Sequence, residues 1–138
     1  MKNPFHNKGS HKENILSLTP REAFEAIEQG ALYVDLRDSG LTDYKIPDVP
    51  DIFLLPYRLL ANAYQKLPRD RYLILADASG LKSREAVVFL REKGFENMAQ
   101  MAGGLVEWEK DGFPIREDVK ERLTGACPCQ LKPRDHLN

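Results

Sequence analysis

The chain is short of several features that mark large functional classes. Its 138 residues contain only two cysteines, Cys127 and Cys129, so nothing before them supplies a thiol, and a secreted disulfide framework is excluded. No stretch approaches the ~20 apolar residues of a membrane span. The opening MKNPFHNKGSHKEN lacks the apolar centre of a signal peptide, so the cytoplasm is the expected location and a membrane is not an expected partner. A formal net charge of -1 provides no field for gathering phosphate backbones, which removes nucleic acid as a default partner. What remains is ordinary for a soluble globular protein. Hydrophobic residues make up 42% and charged ones 30% of a 15.7 kDa chain, enough for one domain with a single core.

The organisation follows from periodicity. Residues 1–14 carry three lysines and two histidines without a pattern and are expected as a flexible arm. In LTPREAFEAIEQGA, Thr19 caps a helix, Pro20 suits its first position, and Glu22 completes a capping box. Ala23, Phe24, Ala26 and Ile27 form its apolar stripe, and Gly30 is a left-handed stop. LYVDL (32–36), IFLL (52–55), YLILA (72–76) and the weaker NMAQM (97–101) read as strands, the first three with the composition of strands buried on both faces. YRLLANAYQKL, SREAVVFLREKG and GLVEWEKDG, the last around Trp108, read as helices between and after them. This alternation predicts an α/β domain over residues 15–116 with a central, mainly parallel sheet flanked by helices. RDSGLTDYKIPDVP, residues 37–50, is expected to run over the surface. Residues 117–138 are expected as a short charged helix stopped at Gly125 and a polar tail holding Cys-Pro-Cys.

Chemistry concentrates where LILA leads through Asp77-Ala78-Ser79-Gly80-Leu81-Lys82-Ser83 into the next helix. Ligands of open α/β sheets gather at the carboxyl ends of strands, and the N–H groups of a tight loop entering a helix converge on one spot. Ala78, Ser79 and Gly80 are small enough for a close turn, while Lys82 is expected to add charge and Ser83 a capping hydroxyl, which makes the loop an anion cradle.

That stretch resembles the active loop of the rhodanese-like domain family, which reads Cys-x-x-Gly-x-Arg-Ser. LTPREAFEAI, YVDLR and KGFENMAQMAGGLVEW match further family features in order, so the resemblance spans about residues 16–115. It implies the family's three-layer fold and a six-residue loop, Asp77 to Lys82, of the sulfurtransferase length. It also implies that Asp77 stands where the family's cysteine takes a sulfane sulfur from a donor such as thiosulfate and passes it to an acceptor. A thiolate, soft and nucleophilic, suits that role, and a carboxylate oxygen does not. Lys82 keeps the charge of the family's Arg but loses its planar fork, and DYKIPDVPDIFLLP replaces the usual Gly-His-Ile run.

Asp77 as a nucleophile toward phosphoryl groups needs a metal and further acids, and no such cluster is legible beside it, so a structural or ligand-excluding role is the stronger reading. Asp35 and Arg37, in the family's Asp-x-Arg position, read as an internal ion pair. Gly103, Gly104 and Trp108 read as turn and packing residues. Cys127 and Cys129 leave alternatives open: a persulfide or redox carrier, two ligands toward zinc or copper with His136 or the N-terminal histidines, or no special role. The expected function is a non-catalytic binding or regulatory module, with no cofactor or resident metal, whose partner is a protein or a sulfur-containing small molecule. The alternative is sulfur transfer or thiol redox chemistry through the two tail cysteines.

Overall fold

Successive side chains of a strand point to opposite faces, so a run without polar alternation must be covered on both. The computed structural model, which describes residues 3–38, 45–117 and 131–133, shows this in β3 (Leu32–Asp35), β6 (Leu73–Ala76) and β7 (Met98–Met101), all of whose residues are buried. Tyr33, Ile74, Ala76, Ala99 and Met101 enter one core, while Leu32, Val34, Leu73, Leu75 and Met98 enter the other. With β1 (Ser10–Lys12), β2 (Ile15–Leu18), β5 (Asp51–Leu54) and β9 (Leu131–Pro133) they form a seven-stranded sheet of order β1-β2-β7-β6-β3-β5-β9. β2, β7, β6, β3 and β5 are mutually parallel, and β1 and β9 are antiparallel edges. The fold is therefore the expected α/β type, with a mixed, mostly parallel sheet between helical layers.

Helix α1 (Pro20–Glu28) begins at the capping box that its sequence announces. The Thr19 side chain accepts from Glu22 N–H, the Glu22 carboxylate accepts from Thr19 N–H, and Gly30 after the helix takes φ +109°. Residues of α1 and α4 (Gly104–Lys110) fill the first core, where Trp108 is fully buried and meets Phe24 and Phe113 at ring-centroid distances of 5.9 and 5.3 Å. Residues of α3 (Leu81–Glu92) and α2 (Leu60–Ala63) fill the second. The stretch YRLLANAYQKL is helical only in pieces, with 3-10 turns at Tyr57–Leu59 and Tyr64–Lys66 on either side of α2.

Two segments differ from their sequence reading, and a third lies mostly outside the described residues. The N-terminal segment is not a free arm over its described residues. Phe5 is buried, its ring 5.3 Å from Tyr72 and edge-on, and β1 pairs with β2 through Glu13 and Asn14, both at positive φ as a type I′ hairpin turn requires. The connection expected over the surface buries Ile46 and Val49, and its strand β4 (Lys45–Pro47) pairs antiparallel with β8 (Ile115–Glu117). Beyond β8, the expected charged helix and both cysteines lie outside the described residues, but β9 lines the free edge of β5 with Leu131 opposite Phe53.

Glu22 also fastens the N-terminal segment by accepting from Gly9 N–H at 2.9 Å. Burial alone would raise this carboxyl, but the N–H groups of Gly9 and Thr19, the Thr19 hydroxyl and the nearby Lys8 outweigh it and hold the group below its ordinary 4.5. A carboxyl lowered on folding stabilises at pH above its unfolded value, and that contribution is lost as pH falls through the folded one. Replacing Phe5→Ala should lower the unfolding free energy by about 3 kcal/mol in urea denaturation, as for a buried aromatic. A change within about 0.5 kcal/mol, the usual surface value, would mean that the segment is not part of the core.

Candidate anion-binding loop

The buried strand β6 delivers Asp77 to the carboxyl edge of the sheet, where the chain must turn sharply to start α3. Gly80 makes the turn at φ +100°, a left-handed conformation that costs other residues more. The result is two N–H groups aimed back at one side chain. Asp77 Oδ1 accepts from Gly80 N–H at 2.7 Å and Oδ2 from Lys82 N–H at 2.9 Å, with the residue only 6% exposed. The helix begins at Leu81, two residues before Ser83, because Asp77 supplies the acceptor that Ser83 was expected to provide. Ser83 is instead wholly buried inside the first turn, its hydroxyl 3.0 Å from both Gly80 O and Gln100 Oε1.

The loop is clamped from beneath. Leu105 N–H donates to Asp77 O at 2.8 Å and Val106 N–H to Ala78 O at 3.1 Å, so the start of α4 takes up the carbonyls that the turn leaves over. Gly104, at φ +62°, permits the approach: a Cβ there would lie 2.4 Å from Asp77 O and 2.5 Å from the Ala78 carbonyl carbon. On the other side, Gln100 of β7 joins Ser83 to Ser17 of β2, with Nε2 donating to Ser17 Oγ at 2.7 Å. Sequence reading missed this support. An isolated Gln in an apolar run carries no local signal of the hydroxyls it will meet on a neighbouring strand and a helix.

Around the cradle the charges serve different ends. The main-chain N–H of Lys82 contacts Asp77, while its ammonium lies 4.7 Å from the centroid of the Tyr57 ring. Tyr57 donates to Glu85 Oε1 at 2.7 Å, and that bond to a carboxylate holds the phenol above its ordinary value of 10.0. Asp35 and Arg37 form a two-pronged pair, Nε to Oδ1 at 3.0 Å and Nη2 to Oδ2 at 2.9 Å, and Arg37 Nη2 also donates to Lys45 O at 2.6 Å. The pair thus fixes β4 to the end of β3. Arg37, Lys45 and Glu109 border, with Ala78, a hollow of about 170 Å³ beside the loop. Ala78 and Ser79 are exposed, and Leu81 and Val106 stand at 74% and 60% exposure on the first turns of α3 and α4. Among the described residues no group of three or more His, Cys, Asp or Glu side chains is placed to hold a metal ion. Cys127, Cys129 and His136 lie outside those residues.

The clamp gives a direct test. Gly104→Ala imposes a left-handed alanine and a clash with loop backbone, and should cost about 2 to 5 kcal/mol by thermal or chemical unfolding. Gly112→Ala is the comparison. It shares a positive φ but meets nothing within 4 Å, so it should cost only the conformational part, about 1 to 2 kcal/mol.

Comparison with known proteins agrees with this architecture. Residues 6–111 match the rhodanese-like domain family. The chain is 33% identical over 98 residues to the thiosulfate sulfurtransferase GlpE of Haemophilus influenzae, covering 71% of this chain and 91% of that one. A sulfurtransferase of Allochromatium vinosum is 29% identical over 87 residues, covering 59% of this chain and 81% of the relative. The solution structure of a rhodanese-like domain from Anabaena superposes with a TM-score of 0.61 at 22% identity, over 80% of this chain and 86% of that one. By the extent of the family match and the identity to these relatives, the chain belongs to the rhodanese-like domain family.

Proposed function

We propose that this protein is a rhodanese-like binding or regulatory module in which Asp77 takes the place of the sulfur-carrying cysteine and fills the anion cradle from within. The observation that carries this reading is the pair of N–H bonds received by the buried Asp77 carboxylate, in a chain with no cysteine before Cys127. A carboxylate keeps the negative charge that a loop thiolate would have, so the cradle remains electrostatically satisfied. It does not keep the chemistry. Attack on thiosulfate by a thiolate breaks the donor's S–S bond, releases sulfite and leaves a persulfide, whereas a carboxylate oxygen has no comparably stable sulfur adduct. An external oxyanion at the loop meets a charge already seated there.

A second reading has one observation in its favour. Leu131, two residues on from Cys129 in sequence, pairs with Phe53 toward the carboxyl end of β5, the end of the sheet that carries the 77–83 loop. On that reading Cys127 and Cys129 carry the sulfur in place of a loop thiol.

Incubation with thiosulfate followed by intact mass measurement separates the two. The module reading expects no added sulfur and no thiocyanate formation from cyanide. A sulfur adduct that disappears in the Cys127→Ser/Cys129→Ser double variant establishes the tail reading instead. For the cradle itself, Asp77→Asn should raise sulfate affinity roughly fivefold or more, the factor that about 1 kcal/mol of relieved competition supplies. Unchanged sulfate binding by calorimetric titration would sink the internal-anion idea. Asp77→Cys is expected to gain thiocyanate-forming activity above the parent protein, since the N–H groups are already in place.

A further inference from the structure

The amino end of the sheet, opposite the end that carries the loop, holds a second cavity of about 720 Å³. It opens where β2, β6 and β7 begin and where α3 finishes, and the folded-back N-terminal segment forms its outer wall. A volume of this size falls in the range of sites for small organic ligands, about 300 to 1,000 Å³. The carboxyl-end rule for α/β sheets does not account for it.

Its lining is divided by chemistry. Phe5, Leu16 and Tyr72 from one face of the sheet and Phe95 and Met98 from the other give its walls an apolar and aromatic character; Phe5, Phe95 and Met98 are buried, and Tyr72, half-buried and edge-on to Phe5, offers the accessible ring. Lys8, Arg91, His6 and His11 stand around it, and Glu96 is the one acid among the lining residues. Lys8 also faces Glu22, so Arg91 supplies the remaining fixed positive charge of the basic side, with the two histidines beside it as polar ring groups. The wall itself is tied down. Asn3 Oδ1 accepts from Phe5 N–H at 2.8 Å, and Arg91 Nη1 donates to Asn14 O at 2.7 Å across the β1–β2 turn.

We infer that this amino-end cavity binds a small aromatic anion, a flat ring system bearing a carboxylate or sulfonate, with the ring against Tyr72 and the charge toward Lys8, His11 and Arg91. Rings gain from edge and face contact with aromatic walls, and an acid at a basic rim gains charge-assisted hydrogen bonds without full burial. The site is independent of Asp77 and of any sulfur chemistry.

The full chain is titrated with 1-anilinonaphthalene-8-sulfonate, an aromatic sulfonate, at neutral pH, reading its fluorescence. Saturable binding at one site with a Kd below about 100 µM is expected for a ligand of this size. Lys8→Glu/His11→Glu should weaken it at least tenfold, and Asn97→Trp, which fills the cavity while leaving its cations alone, should do the same. Thermal melts confirm that both variants are folded, and Asp77→Asn should leave the affinity unchanged. Absence of saturable binding, affinities within twofold of the parent in both folded variants, or loss of binding in Asp77→Asn would overturn the inference.

Discussion

Two main-chain N–H groups and one buried carboxylate satisfy each other at the end of β6, and the geometry of the whole loop follows from that exchange. A turn that aims N–H groups at a single point leaves them costly to bury without an acceptor, and an ionised carboxylate is more costly still without donors. Bringing Gly80 and Lys82 N–H within 2.7 and 2.9 Å of Asp77 meets both needs at once. Hydrogen bonds to a charged group are worth about 1.5 to 3 kcal/mol each, against about 1 for neutral pairs. The loop is therefore shaped by a residue of its own, and its conformation requires no bound ion.

That exchange depends on a frame that cannot drift. β6 lies between β7 and β3 with all four of its residues buried, so Asp77 leaves the sheet from its most constrained position. The burial of Trp108, whose indole N–H reaches Pro114 O at 2.8 Å, fixes α4, and α4 presents Leu105 and Val106 N–H to the loop carbonyls. Gln100 fixes the other flank through Ser83 and Ser17. An aromatic core, a glycine contact and an amide bridge thus converge on one turn from different elements. A loop supported in this way has few alternatives open to it when a ligand approaches.

The parts legible in the sequence are those whose signal is local. The capping box at Thr19, the unbroken apolar strands and the small-residue turn before α3 each declare themselves within a few residues, and the family's order of motifs joins them into one fold. The hidden parts are those settled by partners far along the chain. Glu13-Asn14 is not a familiar hairpin pair, and Phe5 sits alone among polar neighbours, so the N-terminal segment gave no sign of its place against Tyr72. Ile46 and Val49 lie among prolines and charges that read as surface, and the pairing of β4 with β8, continued by Asp48 N–H donating to Pro114 O, holds this segment where both enter the first core. Ser83 was misplaced for a related reason. A capping serine and a serine buried within the first turn of a helix look alike until the true acceptor, Asp77, is located.

On the proposed reading, the decisive contest at the loop is between a tethered anion and a free one. A carboxylate held beside its donors acts at an effective concentration far above that of most dissolved ions, because its translational and rotational freedom is already spent in folding. Dissolved oxyanions lose that contest unless their own contacts to the loop are much stronger, and the Lys82 ammonium, lying over Tyr57, is not placed to provide them. Whatever meets this end of the molecule then meets its outer surface: exposed Leu81 and Val106, the hollow beside Ala78, and the ends of α3 and α4. On the same proposed reading, that arrangement favours recognition of a shape over transfer of an atom. The same backbone that would steady a reactive sulfur is here kept rigid by a side chain that does not leave.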